Sequence, residues 1–377
     1  MPALPTVAIF GPGADPAASS GAAVYCRGVA RALADLGCRV TFHEPDFGEH
    51  GVGRYPADCG GVAVSRYAAT ADGASGALEA ARAADVLVKT SGAGTLDAWV
   101  ESELPGLAAG HRRVVFWDLH PRATLERLRG DRPETMRRPF ARYDVVLTRG
   151  GGSRLIAEYE RLGGRRCVPI HEALDPDAHR PVARDVRFVG DLGYLGERSP
   201  DRDAGVHEFF LGPARCLSEL KLVLGGTGWG ASPDLAPNVR CVGDVHAGDL
   251  DAFHCSTRAV LNLDHHAASS GDSSPSARLF EAAGVGACLV CGAWEGIEEF
   301  LEPGHEVLSV ASGVELVEVV ARLSGEAARL VGEAARRRVL AEHTYEQRAR
   351  ELYGLLESRP TVRPVRRQRV CRPPSAA

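Results

Sequence analysis

Short apolar runs alternate with amphipathic helical segments along most of the chain, and this alternation constrains the fold more than any other feature. In the first half, the apolar runs lie at 6–10, 38–43, 85–89, 113–117, 144–148 and 166–170. After a polar stretch, the alternation begins again, with runs at 185–190, 220–226, 238–243, 258–264, 287–292 and 306–310. Strands joined by crossover helices form parallel sheets that helices cover on both faces. The sequence therefore predicts two α/β domains facing each other across a cleft.

The polar segment at 171–185 predicts the boundary between these domains. We expect the first domain over 1–178 and the second over 179–341. The end of the chain has helical patterns and no further strand, so we expect a helix at 342–357 to cross back onto the first domain. The last segment, 358–377, contains six arginines and four prolines with few apolar residues, a composition typical of disorder.

The bulk composition excludes several classes of protein. With 377 residues, 45% of them hydrophobic and 25% charged, the chain is typical of a globular protein. Its net charge of −5 argues against a general nucleic-acid binder. No apolar run approaches the roughly 18–20 residues of a membrane span, and no basic segment precedes the first apolar run. We therefore predict a cytoplasmic protein; the sequence does not indicate its oligomeric state.

Two short patterns resemble metal sites without completing one. Cys288 and Cys291 form a C-x-x-C pair, but the pair lies in an apolar run that reads as a strand, where this spacing sends the side chains to opposite faces. Asp118 and His120 form a D-x-H pattern that lacks further ligands. We predict buried thiols, no metal ion and no cofactor.

The strand ends of the first domain carry candidate acceptor- or sugar-binding residues. Gly11 and Gly13 begin a glycine loop, but Pro16 replaces the third glycine of the dinucleotide-binding motif, which disfavours a dehydrogenase. Lys89 and Ser91 follow another strand, at the edge where parallel sheets bind ligands. Gly13, Lys89 and Ser91 are thus predicted to contact an acceptor or sugar, with a plain strand-to-helix connection as the alternative.

Asp118 and His120 end a further strand, immediately before Pro121 and a helix. Both residues are suited to act as a general base at this edge of the sheet. The alternative for Asp118 is a helix N-cap, a position that aspartate favours. The sequence leaves both interpretations open.

In the second domain, glycines at 190, 193 and 196 read as a loop after a strand, where backbone amides can hold phosphate oxygens. Val242 precedes a loop that is well placed for backbone contacts to a flat base. Gly190, Gly193 and Val242 are therefore candidates for donor binding.

The segment 273–291 predicts a short helix between two buried strands. Ser274 is suited to the N-cap and Pro275 to the first helical position. Arg278 and Glu281 are three residues apart and share one face. The positive end of the helix with Arg278 would hold a diphosphate, and Glu281 would accept two ribose hydroxyls. The alternative is a surface ion pair worth under roughly 1 kcal/mol.

Several segments resemble the CgeB-like (spore-maturation) branch of the GT-B glycosyltransferases: "DLGYLGERSPDR", "SSPSARLFEAAGVGACLVCGAWEGIEEFLEPGHEVL" and "GEAARRRVLAEHTYEQRARELYGLL", with looser similarity in "VVFWDLHPRATLERLRGD". The resemblance implies a metal-independent transferase that uses a nucleoside-diphosphate sugar, most suitably linked to UDP or GDP. The second domain would hold the nucleotide and the first the acceptor. Glu281 would bind the ribose, Arg278 and Ser276 the diphosphate, and Gly193 and Tyr194 would line the cleft.

The resemblance leaves the reaction partly open. Related retaining enzymes have an acidic residue where this chain has Ser273, beside Asp272, so both retention and inversion of the sugar configuration remain possible. A nucleotide-sugar epimerase or hydrolase on the same fold, or a non-catalytic sugar- or nucleotide-binding module, would share these features. The sugar and the acceptor are not indicated.

Overall fold

The computed structural model describes residues 5–11, 20–46, 60–92, 95–107, 113–130, 133–230, 235–263 and 274–357. In the first half of this part of the chain, the strands are β1 (Thr6–Phe10), β2 (Arg39–Asp46), β3 (Ala63–Ala68), β4 (Val86–Thr90), β5 (Arg113–Asp118), β6 (Val145–Thr148) and β7 (Cys167–Pro169). They form one sheet in the order β3-β2-β1-β4-β5-β6-β7, with every neighbouring pair parallel.

Helices cover both faces of this sheet. Those described in the first half are α1 (Gly21–Asp35), α2 (Ala71–Ala80), α3 (Thr95–Glu103), α4 (Pro121–Arg129), α5 (Pro133–Phe140) and α6 (Ser153–Arg161). Alternate residues of β1 point to opposite faces: Val7 and Ile9 join one buried cluster with α1, whereas Ala8 and Phe10 join a second. Burial on both faces explains why the strands read as continuous apolar runs.

The second half repeats this design. Its strands are β8 (Gly190–Leu195), β9 (Leu222–Gly225), β10 (Val239–Gly243), β11 (Thr257–Asn262), β12 (Leu289–Gly292) and β13 (Leu308–Val310). They form a parallel sheet in the order β10-β9-β8-β11-β12-β13. The α-helices are α7 (Pro200–Val206), α8 (Gly212–Cys216), α9 (Leu250–Ser256), α10 (Ala277–Gly284), α11 (Gly313–Arg322), α12 (Gly325–Glu342) and α13 (Tyr345–Glu357).

The last helix, α13, returns to the first domain, as expected. Tyr345, Ala349, Leu352 and Leu356 are buried in the same cluster as residues of β1 and α1. The Arg113 guanidinium of β5 also donates to the Leu355 carbonyl at 2.6 Å. The two-domain α/β architecture predicted from the alternating pattern is confirmed.

Some details differ from the sequence-based predictions. Strand β3 was not predicted, because its exposed and half-buried residues lack a continuous apolar run. The apolar run at 185–190 is not a strand: Asp185 Oδ1 accepts from the Arg187 backbone amide at 2.8 Å, which turns the chain before β8 begins at Gly190. Cys288 and Cys291 are buried in different clusters of the second domain, as predicted from their spacing.

Three further predictions concern Gly13, the 358–377 tail and the domain limits. Gly13 and the 358–377 tail lie outside the described residues, and the domain limits stay predictions. None of the helices in the described part of the chain combines the length and the hydrophobicity that a membrane crossing requires.

Candidate functional site

The carboxyl ends of the two sheets face each other. Gly150 follows β6 in the first domain, and Ser274 precedes α10 in the second. A Cβ atom on Gly150 would lie 1.8 Å from the Ser274 hydroxyl oxygen, and the φ of Gly150 is +95°, so a glycine is required for this close approach. The ring centroids of His171, after β7, and Phe300 of the second domain are 4.9 Å apart. The edges that bind ligands in parallel sheets therefore meet between the domains.

Helix α10 begins at this junction, two residues later than predicted. Ser276, with an extended backbone (φ −76°, ψ 160°), is the N-cap, and Ala277 is the first helical residue. Ser274 is not the N-cap, because it lies against Gly150 in the other domain. The first-turn amides of α10 consequently point toward the space between the sheets.

Arg278 lies in the first turn of α10 and reaches the neighbouring strand end. Its Nη1 atom donates to the Leu195 carbonyl at 3.0 Å, at the last residue of β8, and the side chain is exposed. The guanidinium therefore lies over the end of β8. Among the described residues the guanidinium is anchored by this one hydrogen bond, so its other donors are available for a multivalent anion.

Glu281, one turn further along α10, is largely buried, with 17% of its side chain exposed. Its Oε1 atom lies 3.8 Å from His179 Nε2, and His179 Nδ1 lies 2.8 Å from Asp251 Oδ1. Burial raises the pKa of Glu281, and the positive charges of His179 and Arg278 oppose that shift. Arg278 and Glu281 thus have different partners, which does not fit the surface ion pair considered from the sequence.

Two of the predicted donor-binding glycines lie within β8 and pack against other strands. A Cβ atom on Gly190, the first residue of β8, would lie 2.6 Å from Val223, and one on Gly193 would lie 2.8 Å from Thr257. Tyr194 is 4% exposed and packs in the core against Phe210. The predicted loop around Gly190, Gly193 and Tyr194 is strand β8, because the strand lies about one length later than predicted, and contact of these residues with the donor stays a prediction.

The loops that follow β8, β9 and β10 lie side by side at the ligand edge. Gly196 donates to the Gly225 carbonyl at 3.0 Å, and Gly226 donates to the Gly243 carbonyl at 2.7 Å. The φ of Gly226 is +117°, and a Cβ atom there would lie 2.2 Å from the Gly196 carbonyl oxygen. Val242 packs on the apolar cluster beneath these loops. The loops after β8, β9 and β10 therefore place backbone amides at the edge where a ligand would bind.

In the first domain, Lys89 and Ser91 have structural partners. Lys89 is 1% exposed and donates to Asp97 Oδ1 at 2.7 Å and to the Thr90 carbonyl at 2.6 Å. Ser91 is 3% exposed, and its Oγ atom accepts from the Leu119 amide at 2.9 Å. Both side chains are buried and hold adjoining loops together, and their contact with an acceptor or sugar stays a prediction.

Asp118 and His120 have different environments at the end of β5. Asp118 is 0% exposed; its Oδ1 atom accepts from the His120 amide at 2.9 Å, and its Oδ2 atom accepts from the Tyr159 hydroxyl. Asp118 is therefore held below the surface by two donors, and its role as a general base stays a prediction. His120 is exposed and is the N-cap residue of α4. Asp118 fixes the backbone from which His120 projects.

Glu172, in the linker after β7, is a further acidic residue near Glu281. Its side chain is 5% exposed, and its Oε1 atom lies 3.2 Å from Arg149 Nε. The Oε2 atom has no hydrogen-bond partner within the described residues. Burial raises the pKa of Glu172 to about 7, opposed by Arg149 and reinforced by the charge of Glu281.

Glu172→Gln is expected to change the pH dependence of stability. Because the pKa of Glu172 is raised from 4.5 to about 7 on folding, its favourable contribution is full below pH 4.5 and is lost as pH rises through 7. Relative to the variant, the natural protein should lose about 3 kcal/mol of unfolding free energy between pH 4.5 and 8. Urea denaturation across this range measures the difference, and a difference that is constant with pH would contradict the prediction.

The sequence-based prediction did not include two residues of the site, His179 and Asp251. They are 72 positions apart in the chain, and both lie in segments that read as polar connections. No local spacing pattern links them to Glu281. The pairing arises only when the linker folds against α9 and α10.

Most of the second domain matches a known protein family. Residues 198–354 match a protein family described as glycosyl transferase-like. This match covers the second sheet from the end of β8 onward, together with α10 and most of α13. It does not distinguish the CgeB-like branch, which stays a prediction. No curated protein sequence matches the chain.

Solved structures share the fold over almost the whole chain. Sucrose-phosphate synthase from Thermosynechococcus elongatus has a TM-score of 0.65 at 15% identity, covering 93% of this chain and 98% of its own. Anabaena HepE in complex with UDP has a TM-score of 0.65 at 13% identity, with 94% and 99% covered. An alpha-glucosyltransferase in complex with UDP has a TM-score of 0.64 at 12% identity, with 94% and 100% covered. The predicted GT-B fold is confirmed.

Proposed function

We propose, from the GT-B fold and the glycosyl transferase-like match of residues 198–354, that this protein transfers a sugar from a nucleoside-diphosphate donor to an acceptor. One observation links the proposal to specific residues. Exposed Arg278 and largely buried Glu281 lie one turn apart at the start of α10, against the end of β8. A cation at the rim and a carboxylate below it match the diphosphate and the ribose of one nucleotide.

The diphosphate end accounts for leaving-group stabilisation. Negative charge grows on the diphosphate as the bond to the sugar breaks, and fixed donors aimed at that charge lower the barrier. Arg278 supplies charge-assisted hydrogen bonds, and the first-turn amides of α10 add the positive end of the helix. We propose that these groups act without a metal ion. The UDP complexes of HepE and the alpha-glucosyltransferase favour uridine as the first base to test.

The ribose end accounts for recognition of the nucleotide. An ionised carboxylate has four lone-pair directions and can accept hydrogen bonds from both ribose hydroxyls. The Glu281 Oε1 atom lies 3.8 Å from His179 Nε2, beyond hydrogen-bond distance, which leaves acceptor capacity on the carboxylate. The loop after β10, beyond Val242, is the proposed site for contacts to the base.

The acceptor would bind at the edge of the first domain, beside His120. If the reaction inverts the sugar configuration, the His120 imidazole would remove the acceptor proton, with Asp118 orienting it through the backbone. If the reaction retains the configuration, His120 would position the acceptor hydroxyl. Approach of the two sheet edges would exclude water, which otherwise competes with the acceptor for the sugar.

The function is tested by binding and turnover with defined nucleotides. A panel of UDP, GDP, dTDP and their glucose conjugates should raise the melting temperature with one diphosphate family, whereas the free nucleosides should have little effect. Sugar transfer should continue in EDTA. Absence of any shift would favour a non-catalytic module that does not bind nucleotides, and turnover without an acceptor would favour an epimerase or hydrolase.

A further inference from the structure

His179 lies in the linker between the two sheets, and its ring contacts acidic residues from two helices of the second domain. The Nδ1 atom lies 2.8 Å from Asp251 Oδ1 in α9, and the Nε2 atom lies 3.8 Å from Glu281 Oε1 in α10. The three side chains are each 16–17% exposed. The imidazole therefore fills the gap between the two carboxylates in a mostly buried environment.

Asp251 fixes both the ring and the backbone of this part of the linker. Its Oδ1 atom faces His179 Nδ1, and its Oδ2 atom accepts from the Arg180 amide at 3.0 Å. A carboxylate acceptor requires a proton on Nδ1, so Nε2 faces Glu281 and can donate to it only when the ring is doubly protonated and positively charged. Asp251 thus holds the imidazole through one oxygen and the adjacent backbone through the other, which limits movement of the His179 ring.

The linker itself is held in place upstream of His179. The Leu174 amide donates to the His343 carbonyl at 2.8 Å, and the Tyr345 amide donates to the Leu174 carbonyl at 3.1 Å. Leu174 is 0% exposed and packs with the buried residues of α10. The position of His179 is thus determined by the junction where the chain crosses back to the first domain.

This arrangement bears directly on Glu281. A largely buried carboxylate is disfavoured in its charged form unless an opposite charge lies nearby. The charge of His179 opposes the burial effect on the pKa of Glu281 more strongly than that of Arg278 does. The nearby His254 is 2% exposed and burial lowers its pKa to about 3, so it contributes no positive charge near neutral pH.

We propose that His179, held by Asp251, is a positioning residue of the donor site: it keeps the Glu281 carboxylate oriented and ionised to accept the ribose hydroxyls. The inference rests on the proposed function, because the ribose is that of the nucleoside-diphosphate donor. It also connects the linker between the domains to ribose recognition.

The test compares ribonucleotides with deoxyribonucleotides. Whichever of UDP and GDP binds more tightly is titrated calorimetrically beside its 2′-deoxy and 3′-deoxy forms, against the natural protein, His179→Ala and Glu281→Gln. The natural protein should prefer the ribonucleotide by about tenfold, as expected for a hydrogen bond to a charged group. His179→Ala should reduce this preference to about threefold or less, while affinity for the deoxy forms changes little.

Two conservative variants separate positioning from support of the linker. The amide nitrogen of Gln matches the reach of His Nε2, whereas that of Asn matches Nδ1. His179→Gln should restore much of the ribose preference, and His179→Asn, which can still donate to Asp251, should not. A matched control is His305→Ala, because His305 Nδ1 lies 3.8 Å from Glu302 Oε2 on an exposed surface of the same domain.

The outcomes distinguish the inference from the function on which it rests. If the natural protein binds none of UDP, GDP and dTDP, the proposed function fails. If Glu281→Gln loses the ribose preference but His179→Ala keeps it, the donor site stands and the role of His179 is overturned. If Asn restores the preference as well as Gln does, the role of His179 is to support the linker, which also overturns the inference.

Discussion

Glu281→Ala is expected to weaken UDP binding by about 10- to 100-fold, because the ribose loses a hydrogen bond to a charged acceptor that is worth about 1.5–3 kcal/mol. The loss should be larger than that of Glu281→Gln, since the amide oxygen keeps one acceptor. Isothermal titration of UDP measures both. Glu281 is largely buried beside His179, so we expect its carboxylate to bind the ribose without rearrangement.

Asp118→Asn is the control for this measurement. Asp118 is buried at the end of β5 in the first domain, and the Asn side chain preserves its size. Its affinity for UDP should match that of the natural protein. Unchanged affinity in Glu281→Ala, or equal losses in the two variants, would remove the ribose assignment.

Arg278→Ala is expected to weaken binding of UDP by about 100-fold while leaving the weaker binding of uridine unchanged. The guanidinium would contribute charge-assisted hydrogen bonds to the diphosphate and none to the nucleoside. Because the side chain is exposed and makes one hydrogen bond, to the Leu195 carbonyl, its removal should have little effect on stability.

Arg278→Lys should recover part of the lost affinity, since lysine retains the charge but not the planar arrangement of donors. The control is Arg215→Ala, which removes an exposed arginine elsewhere in the same domain. Equal losses for UDP and uridine in Arg278→Ala would show that the variant disturbs the fold of the site and would contradict the diphosphate assignment.

The position of α10 could be predicted from the sequence because its surroundings are unambiguous. Two buried apolar runs flank it, so the helix had to begin at the ligand edge of a parallel sheet. Arg278 and Glu281 accordingly lie close to where the pattern placed them. The same reasoning located the end of β5, with Asp118 buried and His120 exposed.

The remaining site residues could not be predicted, because glycine and polar residues have more than one structural use. Gly193 reads as a loop glycine, but it lies inside β8, where Thr257 leaves no room for a side chain. Lys89 reads as an anion ligand at a strand end, but it pairs with Asp97 below the surface. Periodicity identifies the element that carries a residue, whereas these roles depend on contacts between elements.

The assignment of the donor site to α10 is tested most directly by a crystal structure with bound UDP or GDP. We expect the diphosphate at the first turn of α10, within hydrogen-bond distance of Arg278, and a ribose hydroxyl within about 3.2 Å of the Glu281 carboxylate. A nucleotide bound away from the facing sheet edges, or one whose ribose points away from Glu281, would contradict the account.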